Sequence, residues 1–260
     1  MINSANHEWL RTLDIVKTKG INVQPRGLIN VEVRHHTTKF QMKYPVIHER
    51  SRKLSYTFMA AEALWILHGS DELDFHPEIR SKLEPYSDDL VHMAGAYGIP
   101  FMNQFKYVCQ KILEDRDTRQ AVMNIWRPNP KPSKDIPCTV AIQFLVRYNI
   151  LHLSVFMRSS DVWMGLPYDM FSFSVIAQFV AASVQAELGN CCITAGSSHL
   201  YQKDFEGAED VLYRPRITPE MAALDAKHPI VDILWEAANS SKQADALEKL
   251  LNWRQHAEAR

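Results

Sequence analysis

The chain has 260 residues, 46% of them hydrophobic, with 29 basic against 30 acidic side chains and a formal net charge of -1. This length accommodates one substantial core, so a single domain spanning residues 1–260 is expected. The near-zero charge excludes a general electrostatic pull toward nucleic acid or a membrane surface; an anionic ligand has to be held by a local group of cations, and a small-molecule partner is expected.

Trp9, Leu10, Leu13 and Val16 stand at helical spacing and predict an opening helix that ends near Gly20. Leu28 to Val33 and Phe40 to Val46 read as two strands. Leu54 to Leu67 repeats apolar residues on a helical period and stops at Gly69, which suits a helix C-cap. That helix carries one acid, Glu62, among Phe58, Met59, Ala61, Leu64 and Trp65. A further helix over Phe101 to Leu113 and a strand over Gln120 to Trp126 are expected, followed by Arg127 to Ser133. Pro128, Pro130 and Pro132 deprive that segment of backbone donors, so it reads as a loop that delivers Cys138. Thr139 to Arg147 and Leu151 to Arg158 are β-rich runs around Tyr148-Asn149-Ile150 and predict an antiparallel hairpin. Met170 to Leu188 is the longest apolar stretch, but Ser172, Ser174, Gln178, Ser183, Gln185 and Glu187 interrupt it too often for a lipid-facing span. It reads as a buried core helix, followed by a strand at Cys191 to Ala195 and, from about Pro219, a charged helical tail.

Cys109, Cys138, Cys191 and Cys192 lack paired-cysteine spacing, and the first residues lack a basic-then-apolar signal segment. A reducing, cytoplasmic setting without disulfides is therefore expected. There is no H-E-x-x-H or cysteine knuckle, and the adjacent His35 and His36 would face opposite ways on a strand, so no metal is expected. Glycine-rich dinucleotide and P-loop motifs are also missing.

Cys138 follows a proline and opens a strand; nearby cations would lower its pKa toward the reactive thiolate, although a lone cysteine is more often a small buried hydrophobe. Glu62, flanked by apolar residues, either turns to solvent or sits in a dry site where its raised pKa allows proton exchange near neutrality. Arg158 to Asp169 carries a cation, hydroxyls and acids at a strand-to-helix junction, a place that favours anions and hydrogen-bonded ligands; Asp169 could equally be an ordinary helix N-terminal acid. His199 and Tyr201 have donors able to reach a sugar, or belong to a satisfied core.

Taken in order, Asp117-Thr118-Arg119, Pro137-Cys138, Gln143, Arg158-Ser159-Ser160-Asp161-Val162, Gly165-Leu166-Pro167 and Ser198-His199-Leu200-Tyr201 resemble the thymidylate synthase family, from about Arg26 to Phe205. Glu62-Ala63-Leu64-Trp65 and Ala96-Tyr97-Gly98 add further anchors. The resemblance implies an α/β fold of the α+β type, with a large mixed or antiparallel sheet, flanking helices and a two-fold homodimer through the sheet. It implies Cys138 as the nucleophile toward pyrimidine C6, and Glu62 and Tyr97 as handlers of protons. Arg26, Arg158 and Ser159 would hold phosphate with Arg119 of a second copy, guanidinium forks being matched to phosphate oxygens. Gln143, His199 and Tyr201 would complete nucleotide binding. Asp161, Gly165, Leu83 and Trp65 would lie on the side of 5,10-methylenetetrahydrofolate, the implied co-substrate.

Three departures from the family pattern point within it. Asp169 stands where thymidylate synthases have asparagine; a carboxylate offers acceptors that suit a cytosine amino group and a protonated N3, and it repels uracil O4. Thr139 follows the cysteine in place of histidine, as in the deoxycytidylate hydroxymethylases of bacterial viruses, the relatives closest in site residues. The tryptophan that covers the reactive intermediate has no counterpart between Ser81 and Gly95, where Leu83 or Tyr86 aligns. The chain also ends in Arg254-Gln255-His256-Ala257-Glu258-Ala259-Arg260 in place of a small apolar terminus, and Gln120 replaces a second arginine after Arg119. The expectation is a dCMP 5-hydroxymethyltransferase, acting before polymerisation as in viral DNA modification. A dCMP methyltransferase, a dUMP-methylating synthase and a non-catalytic nucleotide- or RNA-binding protein are the rivals.

Overall fold

The computed structural model describes residues 3–214, 223–227 and 230–254. Its helices are Ala5–Lys19 (α1), Tyr56–Leu67 (α2), Pro77–Leu83 (α3), Gly98–Glu114 (α4), Leu166–Ser183 (α5), Phe205–Tyr213 (α6), Val231–Ala238 (α7) and Gln243–Leu251 (α8). Its strands are Ile21–Val23 (β1), Asn30–Gln41 (β2), Val122–Asn124 (β3), Thr139–Arg147 (β4), Ile150–Met157 (β5), Ser160–Asp161 (β6) and Glu187–Tyr201 (β7). They form one sheet in the order β1-β2-β7-β5-β4-β3, with β6 beside β7. Most neighbours are antiparallel, but β5 and β6 run parallel to β7. Parallel pairing needs a crossover, and α5 supplies it. This is the mixed sheet with flanking helices that the resemblance implied.

One face of the sheet, through Phe40, Phe144, Leu153, Val155, Ile193 and Ala195, is buried. Residues alternating with these, such as Ser154 and Phe156, are exposed on the other face, as the two-residue period of a strand requires. Buried residues occur all round α5, which fits a helix enclosed in the core. No helix among the described residues is long and apolar enough to cross a membrane.

The hairpin turns where the sequence indicated: Arg147 pairs with Ile150, and Tyr148 and Asn149 both adopt positive φ, 51° and 63°, the geometry of a two-residue turn whose twist matches the strands. Ser55 caps α2, and Gly69 at φ 67° follows its end, so the expected glycine stop is present.

Several boundaries differ. The strand expected at 28–33 and the start of the one expected at 40–46 merge into one β2, because β7 pairs the intervening polar run from Arg34 opposite Ser197 to His36 opposite Ala195; β2 ends at Gln41, and residues 42–46 form a turn and irregular chain. Its histidines interrupt the apolar pattern without ending the ladder, His35 taking φ 54° opposite Gly196. The core helix expected to reach Leu188 ends at Ser183, and Gln185 at φ 55° turns the chain into β7, which runs 15 residues instead of the expected five-residue span at 191–195. The strand at 120–126 shrinks to β3. The helical tail is realised in α7 and α8; Pro219 and the terminal 255–260 lie outside the described residues.

Candidate active site

Cys138 immediately precedes β4, and the end of β5 holds it there. The Arg158 backbone N–H donates to Cys138 O at 2.8 Å, while its guanidinium donates to Ile136 O at 2.8 Å and Pro137 O at 3.0 Å. Arg158 is thus both an anchor for the cysteine segment and a nearby cation.

The N-terminus of α5 is shaped by Asp161, whose Oδ1 accepts from the Trp163 and Met164 N–H groups, each at 2.9 Å. That capped turn leads through Gly165 into the first helical turn, where Asp169 lies. Glu62 on α2 faces α5 and accepts from Ser172 Oγ at 3.4 Å. Tyr97 stands just before α4, its ring parallel to that of Phe173 at a centroid separation of 6.4 Å, and its oxygen accepts from Thr139 Oγ1 at 2.9 Å. The starts of α4 and α5, the middle of α2 and the start of β4 therefore converge on a phenol, two carboxyl groups and a thiol.

Burial, then the charge of Asp169, raises Glu62 to about 8. Burial and the charge of Asp161 raise Asp169 to about 7. Such a pair can exchange protons near neutrality, which decides between the two readings of Glu62 in favour of the dry site. Tyr97 is held well above its usual value by burial, with Asp169 and Cys138 adding to the effect and Thr139 opposing it.

The expectation that cations would lower the Cys138 thiol needs correction for the single chain. Burial pushes the thiol up, the carboxylates of Asp169, Asp135 and Asp161 push the same way, and Arg158 opposes them without prevailing. Desolvation penalises the thiolate more than one guanidinium recovers.

The remaining sequence candidates fall into two groups. His199 lies opposite Asp161 in the β6–β7 pairing, with its ring at 5.1 Å from Tyr201, and burial lowers its pKa and favours the neutral ring. Ser159 links β5 to β6 next to Arg158. These residues and Gly165 share the strand-to-helix junction. The others are set apart. Arg26 is exposed in the turn Pro25–Gly27 at φ 53°. Arg119 is exposed in a cavity of about 240 Å³ shared with Lys111, Asp117 and Gln120, and its carbonyl accepts from Gln143 Nε2 at 2.9 Å. Leu83 ends α3, half-buried against the core. Trp65 is buried, its indole N–H donating to Glu72 O at 3.0 Å.

Sequence reasoning missed Asp135, whose carboxylate accepts from the Gly95 N–H at 2.6 Å, and the bond from Thr139 to Tyr97. It also missed Arg52, stacked 4.5 Å over the Trp163 ring and donating to Trp163 O at 2.7 and 3.0 Å. An acid three residues before the cysteine was the visible signal for Asp135; nothing in the sequence announced Arg52.

A thiol at the start of a strand, beside helix-borne carboxyl groups raised toward neutrality in a helix-flanked mixed sheet, is an arrangement suited to covalent catalysis. The sequence profile of thymidylate synthase matches residues 7–239, so the chain belongs to the thymidylate synthase family. It is similar to a thymidylate synthase of Buchnera aphidicola subsp. Baizongia pistaciae, 24% identical over 229 residues that cover 82% of this chain and 86% of the relative. It is also similar to a deoxyuridylate hydroxymethyltransferase of Bacillus phage SP01, 31% identical over 220 residues that cover 76% of this chain and 57% of the relative. It is accordingly a folate-dependent one-carbon transferase acting on a pyrimidine nucleotide.

Proposed function

We propose that the protein is a dCMP 5-hydroxymethyltransferase whose single domain works as a homodimer. The observation that carries the reading is the Asp169 carboxyl, buried in the first turn of α5 beside Glu62 and Tyr97 and raised to about 7. A carboxyl at that level shares one proton with cytosine N3 while its other oxygen accepts from the amino group. Ionised, it meets uracil O4 with lone pairs alone.

The residues then divide the work. Cys138 adds through sulfur to C6, which makes C5 nucleophilic. The folate supplies the one-carbon unit and departs as tetrahydrofolate when the C5 proton is lost. The Tyr97 phenol, held by Thr139, orients the water that takes that proton, and Glu62 exchanges protons with the C4 side of the ring. Water adds to the exocyclic methylene carbon, the ring electrons return to C5–C6, and the Cys138 thiolate leaves. Hydride addition at the same carbon would give a methyl group, so access of water decides the product.

Arg158 and Ser159 at the junction hold the phosphate, with Arg26 and with Arg119 of a second copy docked on the open face of the sheet. The exposure of both Arg26 and Arg119 outside the Cys138 cluster supports completion of the site by another subunit. His199 and Tyr201 suit the ribose, and the side chain of Gln143 steadies Arg119 through its backbone. For the folate, the exposed apolar side chains of Tyr86, Leu90 and Val91 near Leu83 fit a flat ring system, and Arg52 beside Asp161 fits a carboxylate tail.

A second reading retains hydroxymethylation and exchanges the base. In its neutral form Asp169 donates to uracil O4 and accepts from N3–H, and the phage relative is named for deoxyuridylate. Mass spectra of products from dCMP, CMP and dUMP with 5,10-methylenetetrahydrofolate decide the matter. A gain of CH2O on dCMP supports the main reading. A gain of CH2 makes the protein a methyltransferase, and reaction with dUMP alone establishes the second base.

A further inference from the structure

We propose, on the basis of the reading above, that Asp135 is a positioning residue which holds Tyr97 in register with Cys138 for removal of the C5 proton. Asp135 precedes Cys138 by three residues, and Gly95, its partner, precedes Tyr97 by two. The Gly95 N–H donates to Asp135 Oδ2 at 2.6 Å. A Cβ at Gly95 would lie 2.7 Å from Oδ1 and 2.9 Å from Cγ and Oδ2, so the carboxylate packs closely against the glycine and a larger residue there would displace it.

On the other side of the cysteine, Thr139 Oγ1 donates to the Tyr97 oxygen at 2.9 Å. The cysteine segment therefore grips the tyrosine segment at two points that bracket Cys138, the second being the Tyr97 oxygen itself. A reciprocal tie reinforces the first point: Asp88 accepts from Ser133 Oγ at 2.5 Å through Oδ2 and from Lys134 N at 3.1 Å through Oδ1. Burial raises the Asp135 carboxyl and Asp88 adds to the rise, while the Gly95 N–H and, more weakly, Arg127 and Arg158 oppose it; Arg158 is itself bonded to the carbonyls of residues 136 and 137. One chain of contacts thus runs from Arg158 through the cysteine loop to the turn that ends at Tyr97.

Proton transfer requires heavy-atom separations of about 2.6–3.2 Å, directly or through one water. A shift of about 1 Å in a reacting group costs about 100-fold in rate. Loss of the Asp135 carboxylate frees the 94–97 turn while leaving Cys138 anchored by Arg158. The consequence is selective: addition at C6 persists and loss of the C5 proton slows.

The test compares the intact protein with Asp135→Ala and Asp135→Asn variants. Tritium release is measured from [5-3H]dCMP and [5-3H]dUMP with 5,10-methylenetetrahydrofolate. Covalent adducts with the 5-fluoro analogues of both nucleotides, which carry no C5 proton, are measured by intact mass. Asp135→Ala is expected to form the fluoro adduct to the wild-type extent and to release tritium about 10- to 100-fold more slowly. Asp135→Asn, whose amide oxygen accepts the same Gly95 bond, is expected to restore release to within about threefold of wild type. Unchanged release in the alanine variant, joint loss of adduct and release, or failure of asparagine to rescue would each overturn the proposal. Wild-type release from dUMP alone would overturn the dCMP reading and leave the Asp135 comparison standing on dUMP. Release from neither nucleotide would overturn both.

Discussion

Replacing Asp169 with Asn exchanges a group that ionises for a neutral amide of nearly the same shape, offering one donor and one acceptor. In the ionised wild type, uracil O4 faces a carboxylate oxygen with no proton between them, an uncompensated buried contact worth about 1–3 kcal/mol. At 1.4 kcal/mol per tenfold, that is a change of about 5- to 150-fold in the ratio of kcat/KM for dCMP to kcat/KM for dUMP. The substitution also removes the charge that follows burial as the cause of the Glu62 elevation to about 8. Glu62 should then lose its proton at lower pH, and any limb of the pH–rate profile that depends on neutral Glu62 should move in the same direction. The assay is competition of the two nucleotides for the enzyme, products being counted by mass, repeated between pH 6 and 9. A variant that keeps the full wild-type preference, with an unmoved basic limb, would refute both the base-reading role of Asp169 and its electrostatic coupling to Glu62.

The same two acids set a dependence of stability on pH. Glu62 rises from 4.5 to about 8 and Asp169 from 3.8 to about 7 on folding, so the folded chain binds more protons than the unfolded chain in between. Stability is then greatest below the unfolded values and declines as pH rises through 7 to 8. Asp169→Asn should raise Tm at pH 8 and leave it nearly unchanged at pH 4, and equal shifts at both would contradict the linkage. Cys138→Ala should abolish the fluoro-nucleotide adduct and reduce turnover by several orders of magnitude, so undiminished turnover would remove the covalent mechanism. Arg158→Ala takes away the cation that opposes the raised Cys138 thiol and should slow iodoacetamide alkylation at pH 8, about tenfold for each unit of pKa gained. Gln243 accepts from the Tyr56 and Thr57 N–H groups at 2.7 and 3.2 Å at the start of α2. Gln243→Ala should therefore cost about 0.5–2 kcal/mol, as loss of a helix cap does, and an unchanged urea midpoint would show that the cap is idle.

Legibility in the sequence followed the range of the interaction involved. The Tyr148-Asn149 turn and the Gly69 helix stop depend on a few adjacent residues and were readable from them. The extent of β2 was not, because His36, Thr37 and Lys39 are extended through pairing with β7, more than 150 residues away. The end of α5 was misread for a related reason: Val184, Ala186 and Leu188 continue the apolar stretch in the sequence, yet Glu187 and Leu188 pair with Asn149, Ile150 and Leu151 and become the start of a strand. Among the site residues, the order of Cys138, Arg158, Asp161 and His199 carried the family, whereas Asp135 and Arg52 act through partners far along the chain.

The sequence by itself determined which chemical groups this protein owns: a cysteine behind a proline-rich loop, an acid on an apolar helix, and Asp169 and Thr139 at two family positions. Only the tertiary structure decided what those groups become. It turned Glu62 inward against Ser172, brought Asp169 close enough to perturb it, and set Tyr97 against Thr139. It also buried Cys138, with Asp169, Asp135 and Asp161 adding to the rise and Arg158 opposing it, so the thiol is raised where the sequence suggested it would be lowered. The reason is physical: a side chain's identity fixes its donors, acceptors and ordinary pKa, while desolvation and the field of neighbours depend on distances that exist only after the chain has folded.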